Sequence, residues 1–243
     1  MFPKNIFHFI FLVLLAILIS SPFIYILDKY SKGNQKVLIF SIIFYTLFIA
    51  IYHIINRIKK NKTSYKFYPI DYKKLLFSVI MVWLLSVVIL LPIRFYFFPI
   101  ETSKLNISSI LAGLLIAPIF EEILFRNILL KSLLQTYSSK KSIIISAFIF
   151  ALIHVNLQQI ILGLFIGLYF GFIFSKDFNI AVTIILHFFV NLFGFIGRLI
   201  LIEFNNSMYL GLFFIINLIV TLTILFFLYS KVKHIFISNT TRK

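Results

Sequence analysis

The chain has no cysteine and little acid, with seven Asp and Glu residues among 243. The absence of cysteine excludes disulfides, thiolate metal sites and cysteine nucleophiles. Charge of either sign is scarce: Asp, Glu, Lys and Arg make up 12% of the chain, against 61% hydrophobic residues. A water-soluble domain of this length has nowhere to bury so much apolar surface, whereas in a bilayer the lipid is the solvent. The charge that remains is basic, net +16. Lys and Arg fall mostly between apolar stretches, not on one amphipathic face or in one tail. That distribution argues against nucleic acid as a partner and for contact with anionic lipid headgroups. The fold class expected is all-α, a polytopic integral membrane helical bundle of about eight transmembrane helices.

About 20 apolar residues cross the hydrocarbon core as a helix. Spans are expected near 7–27, 37–55, 75–98, 107–134, 142–157, 158–175, 180–202 and 208–230, with the short fifth and sixth forming a tight hairpin around Asn156-Leu157-Gln158-Gln159. The first span lacks a small-residue cleavage site after Ser20-Ser21-Pro22 and reads as an anchor. Three regions follow: residues 1–74, an N-terminal hairpin and basic cytoplasmic loop; 75–205, the core; and 206–243, the last span and a basic tail. With the N-terminus inside, sixteen Lys and Arg lie on the inner side and four (Lys29, Lys32, Lys36, Lys104) on the outer. This bias predicts a multi-pass protein of the cell membrane with both termini cytoplasmic. Gly163, Gly167 and Gly171 recur every fourth residue in the sixth span, the pattern of close helix–helix packing.

The informative residues are the polar ones inside spans. Glu121 and Glu122 are adjacent in the middle of span four, and Arg126 follows on the same helix. A charge at mid-bilayer costs about 2.5–3.5 kcal/mol on insertion scales, so these groups are expected to face the protein interior and to have partners. Glu122 and Arg126, four apart, suit an ion pair. Glu121 points about 100° away and is left without a partner in its own span. His154 and His187 lie within spans five and seven, and Asn191 stands one turn beyond His187. At ~1.5 Å per residue, Glu121, His154, His187 and Asn191 lie ~20, ~18, ~10 and ~16 Å from the inner ends of their spans. One mid-membrane slab contains all four, so they can converge on a single cavity. Arg94 and Arg198 near span ends read as snorkelling residues, and His8, His53 and His234 as interfacial ones.

Glu121-Glu122-Ile-Leu-Phe-Arg126, Phe150-Ala-Leu-Ile-His154 and His187-Phe-Phe-Val-Asn191 resemble the E-E-x-x-x-R, F-x-x-x-H and H-x-x-x-N motifs of the CAAX protease and bacteriocin-processing (CPBP, Abi) family of intramembrane glutamic endopeptidases. Order and spacing match, and the resemblance covers roughly residues 75–200. It implies a hydrolase of the CAAX prenyl protease 2 type, in which Glu121 is the general base for a water that His154 helps to hold. His187 and Asn191 would stabilise the oxyanion, with Glu122, Arg126 and Phe150 in support. It implies no cofactor, and a membrane-associated peptide or protein as substrate.

The residues leave alternatives open. A zinc-dependent intramembrane metallopeptidase would use Glu121, His154 and His187 as ligands, although no H-E-x-x-H occurs. A non-catalytic bacteriocin-immunity or regulatory protein would keep the fold and work by binding. An ion path would also use intramembrane Glu and His, but no internal duplication is visible.

Overall fold

The computed structural model describes residues 2–30, 34–61, 68–97, 107–154, 156–203 and 208–237. These form eight helices and no strand. They are α1 (Ile6–Tyr30), α2 (Asn34–Ile58), α3 (72–97), α4 (Ile107–Leu133), α5 (Ser139–Leu152), α6 (Leu157–Asp177), α7 (Ile180–Glu203) and α8 (Met208–Ile237). The expectation of an all-α polytopic bundle is borne out. Six helices, α1 to α4, α6 and α7, are long and apolar enough to cross a membrane. Their outward faces carry large apolar groups such as Phe7, Leu18, Leu76, Phe165 and Phe172, which suits a surface bathed in lipid. The protein is an integral membrane protein.

The expected fifth span needs correction. Its helix runs Ser139–Leu152, not 142–157. Its 14 residues extend ~21 Å, short of the ~30 Å hydrocarbon core. The helix ends at Leu152, and Asn156 caps the next one, its side chain accepting from Gln158 N at 2.8 Å. His154 therefore lies just beyond a helix end rather than within a span.

The glycine stripe of α6 explains how this short helix is held. A Cβ on Gly163 would meet Ala151 Cα at 3.3 Å, one on Gly167 would meet Ala147 Cα at 2.9 Å, and one on Gly171 would meet Ile143 Cγ2 at 3.1 Å. As the glycine number rises by four its partner's falls by four, so the two helices run antiparallel in direct backbone contact. Gly167→Val is accordingly expected to destabilise the protein by about 1–3 kcal/mol, because backbone cannot yield as a side chain can. Gly194→Ala, where an added Cβ meets nothing within 4 Å, is the control. Thermal unfolding in detergent would separate the two variants.

The chain divides into two compact units: Met1–Pro69 with Lys104–Phe188, and Ile70–Ser103 with Phe189–Lys243. In the first, Phe9 and Leu12 of α1 and Phe48 and Tyr52 of α2 pack against Leu124, Phe125, Ile128 and Leu129 of α4 and Phe150 of α5. A smaller cluster joins Leu130, Phe174 and Ile180. In the second, Val87 and Leu91 of α3 pack with Leu201, Leu210 and Phe214.

Helix α4 is not a regular α-helix. It carries wider π-type turns at Ala112–Ile116 and Ile123–Leu130, on either side of a segment with Pro118 near its start. Proline has no N–H to continue the ladder, and π-turns re-aim the side chains around them. The two glutamates sit at the end of the regular turn between these bulges. Across from the second bulge, Ser146 of α5 donates to Phe125 O at 3.1 Å.

Candidate active site

Four helices of the first unit bring the site together. Helix α4 supplies Glu121, Glu122 and Arg126, and α7 supplies His187. Phe150 lies at the end of α5, and α2 adds Tyr45.

Glu122 and Arg126 are fully buried and form the expected i, i+4 pair, with Nε 3.2 Å from Oε2. The approach is close enough for Coulomb attraction but not aligned as a hydrogen bond, and Nη1 and Nη2 have no hydrogen-bond partner among the described residues. The guanidinium instead lies over aromatic faces, 4.7 Å from the Phe150 ring and 5.7 Å from the Phe170 ring. Cation–π attraction is strongest where water is excluded. Arg126 thus compensates Glu122 and is held by the same rings that surround the site.

The other oxygen of Glu122 engages His187, at 2.9 Å from Nδ1. A carboxylate only accepts, so Nδ1 carries the proton, and in the neutral ring Nε2 presents a lone pair. That Nε2 faces Glu121 Oε2 at 3.8 Å. The separation is too long for a direct hydrogen bond and wide enough for one water to bridge two acceptors. The rings of Phe150 and Phe170 flank the imidazole, with centroids 5.9 and 6.0 Å away.

Glu121 has no partner on its own helix, as expected, but it has one on another. Tyr45 Oη donates to Glu121 Oε1 at 3.3 Å, and the Tyr45 ring stacks on Phe120 with centroids 5.0 Å apart and planes 5° from parallel. Sequence reasoning missed Tyr45. Its signal was a tyrosine in mid-span, since tyrosines in spans ordinarily sit at the interface. Phe170 was missed too, and nothing marks it among the many phenylalanines of the chain.

His154 is half-buried, with Nδ1 3.0 Å from Phe150 O and its ring 5.3 Å from the Phe150 ring. The carbonyl fixes the proton on Nδ1, leaving Nε2 as an acceptor. No ion pair or hydrogen bond joins His154 to Glu121 among the described residues. The histidine beside Glu121 is His187. The set Glu121, His154, His187 named for zinc is not gathered in ligand geometry: among the described residues no three His, Cys, Asp or Glu groups come together that could hold a metal ion. Asn191 lies one turn beyond His187 on α7 and falls in the second unit.

Fold and site together define a class: an integral membrane protein whose helices hold a carboxylate oxygen and an imidazole nitrogen side by side, 3.8 Å apart. Residues 103–193 match the family model described as Type II CAAX prenyl endopeptidase Rce1-like. The matched segment contains all three motifs, from Glu121 to Asn191. The family resemblance is borne out over that segment, and it implies a peptidase. No curated protein and no solved structure is significantly similar to the chain.

Proposed function

We propose that the protein is an intramembrane glutamic endopeptidase that hydrolyses a membrane-associated peptide or protein without a metal. The observation that carries this reading is the 3.8 Å approach of Glu121 Oε2 and His187 Nε2. Two acceptors so spaced can each take one hydrogen of the same water at about 2.8 Å, orienting its lone pairs outward for attack.

The chemistry balances on these groups. The water oxygen bonds to the scissile carbonyl carbon as Glu121 takes one of its protons, and the carbonyl oxygen becomes an oxyanion. The water's second hydrogen, held by His187 Nε2, can pass to that nitrogen and return as the intermediate collapses; while it is there Nε2 is a donor, and the carboxylate of Glu122 stabilises the imidazolium through Nδ1. It can then stabilise the oxyanion, with the Asn191 amide in the role the family motif implies. His154, its Nε2 free to accept, would help to hold the water. Breakage of the C–N bond delivers the proton on Glu121 to the departing amine and leaves a carboxylic acid.

The surplus of inner over outer basic residues supports cytoplasmic termini in the cell membrane and contact with anionic lipid. A substrate that is lipid-anchored or itself membrane-inserted reaches such a site along the bilayer. Peptide pheromones, bacteriocin precursors and membrane-anchored leaders fit this requirement without prenylation.

The test is cleavage by purified protein in liposomes, offered prenylated and unprenylated membrane-anchored peptides. Cleavage is expected to survive a strong chelator in protein that contains no stoichiometric metal. Loss of activity with the chelator, restored by zinc, would replace this reading with the metallopeptidase one.

A further inference from the structure

We propose that Tyr45 is a positioning residue of the active site, so that the working peptidase includes α2, outside the matched segment 103–193. The proposal rests on Glu121 being the general base. Tyr45 touches the turn that bears that base at two points, its hydroxyl on Glu121 Oε1 at 3.3 Å and its ring on Phe120. One contact fixes the carboxylate and the other fixes the helix immediately before it.

The consequence follows from carboxylate rotation. The terminal torsion of a glutamate is broad and roughly two-fold, so nothing intrinsic decides which oxygen faces His187. The hydroxyl occupies Oε1, and Oε2 is thereby the oxygen turned toward Nε2 and toward the bridging water. Without the hydroxyl the carboxylate rotates freely, and the pair of acceptors is assembled for a smaller fraction of the time.

The base of this device is itself fixed. Phe48, one turn on from Tyr45, packs on Phe9 with ring centroids 5.7 Å apart. Further along α2, Asn56 accepts from Phe2 N and donates to Phe2 O, both at 2.9 Å. Thr136, just past α4, donates to Lys4 O at 3.2 Å. The N-terminal segment is thus bonded both to α2 and to the chain that follows α4, which keeps Tyr45 in register with Glu121.

The experiment compares wild type, Tyr45→Phe, Tyr45→Leu and Glu121→Gln as full chains in liposomes, on one membrane-anchored peptide that the wild type cleaves. Tyr45→Phe keeps the stacked ring and loses only the donor. It is expected to lower kcat by about ten- to a hundredfold, the scale of one hydrogen bond to a charged group. KM should change less than about twofold, and the thermal midpoint should fall by no more than the few degrees that one lost hydrogen bond costs. Adding Tyr45→Phe to Glu121→Gln should cause no further loss, as expected of groups acting as a unit. Tyr45→Leu should lose both stacking and rate. Wild-type kcat in Tyr45→Phe, with Glu121→Gln inactive, would overturn the role of Tyr45 and leave the base assignment standing. Full activity in Glu121→Gln would overturn the base assignment itself. A fall in kcat for Tyr45→Phe fully accounted for by a matching loss of folded protein would overturn positioning in favour of plain structural support.

Discussion

Replacing Glu121 by glutamine is expected to reduce peptide cleavage by about 10³-fold or more, with the protein still inserted and folded; general acid–base steps contribute about 10²–10⁴. The substitution is nearly isosteric. The amide oxygen still accepts from Tyr45, and the amide nitrogen donates toward His187 Nε2, 3.8 Å from the oxygen it replaces. Every packing contact survives, and only the ability to take a proton is lost. Glu122 cannot take over, although it is the next residue. Both of its oxygens are engaged, one by His187 and one by Arg126, and it is fully buried. Initial rates on a membrane-anchored peptide, with thermal midpoints of the same preparations, would check this. Wild-type cleavage by Glu121→Gln would remove Glu121 from the mechanism. Glu121→Asp is the informative partner: shortened by one methylene, it leaves Tyr45 and retains the base, and it should keep a small part of the activity.

The bundle was legible because lipid enforces a simple rule. A backbone inside the hydrocarbon must satisfy itself, so long apolar runs are helices, and each expected span has its helix. The Glu122–Arg126 pair was legible for the same reason, since buried charge four residues apart on one helix has an obvious partner. The helix end at Leu152 was not. The apolar run continues through Ile153; the polar stretch from Asn156 marked the hairpin, but that α5 stops at Leu152 and Asn156 caps α6 is seen only in three dimensions. Depth along a span put Glu121 and His154 nearly level, at ~20 and ~18 Å, and His187 at ~10 Å, but depth says nothing about rotation around the helix axis. The π-turns of α4 make that rotation unpredictable from a regular 3.6-residue period. Sequence spacing therefore placed two histidines with Glu121, and the structure places one, His187, against it. Tyr45 lay outside every motif. Its link to Glu121 joins residues 76 apart in the chain, and no local pattern announces such a contact.

Arg126→Met is expected to be the most damaging substitution in the fold. It leaves Glu122 charged, fully buried and without its cation, and breaking a buried pair in this way costs about 3–5 kcal/mol. Methionine fills the space between Phe150 and Phe170 well, so the loss reflects charge rather than volume. The variant should accumulate poorly, and its extracted fraction should be polydisperse in detergent. Adding Glu122→Gln should rescue folding, because no unpaired charge remains, and buried pairs replaced on both sides are often neutral in stability. The glutamine oxygen still accepts from His187 Nδ1, so the tautomer that points the Nε2 lone pair at Glu121 is retained. What the double variant lacks is a negative charge behind the imidazole to stabilise its protonated form. It should therefore recover a near wild-type thermal midpoint and yet cleave about ten- to a hundredfold more slowly, the scale of a hydrogen bond to a charged group. Folding and chemistry separate between the single and the double variant. Recovery of both would make the Glu122–Arg126 pair a structural strut alone, and recovery of neither would mean that the arginine holds the helices by contacts other than its charge.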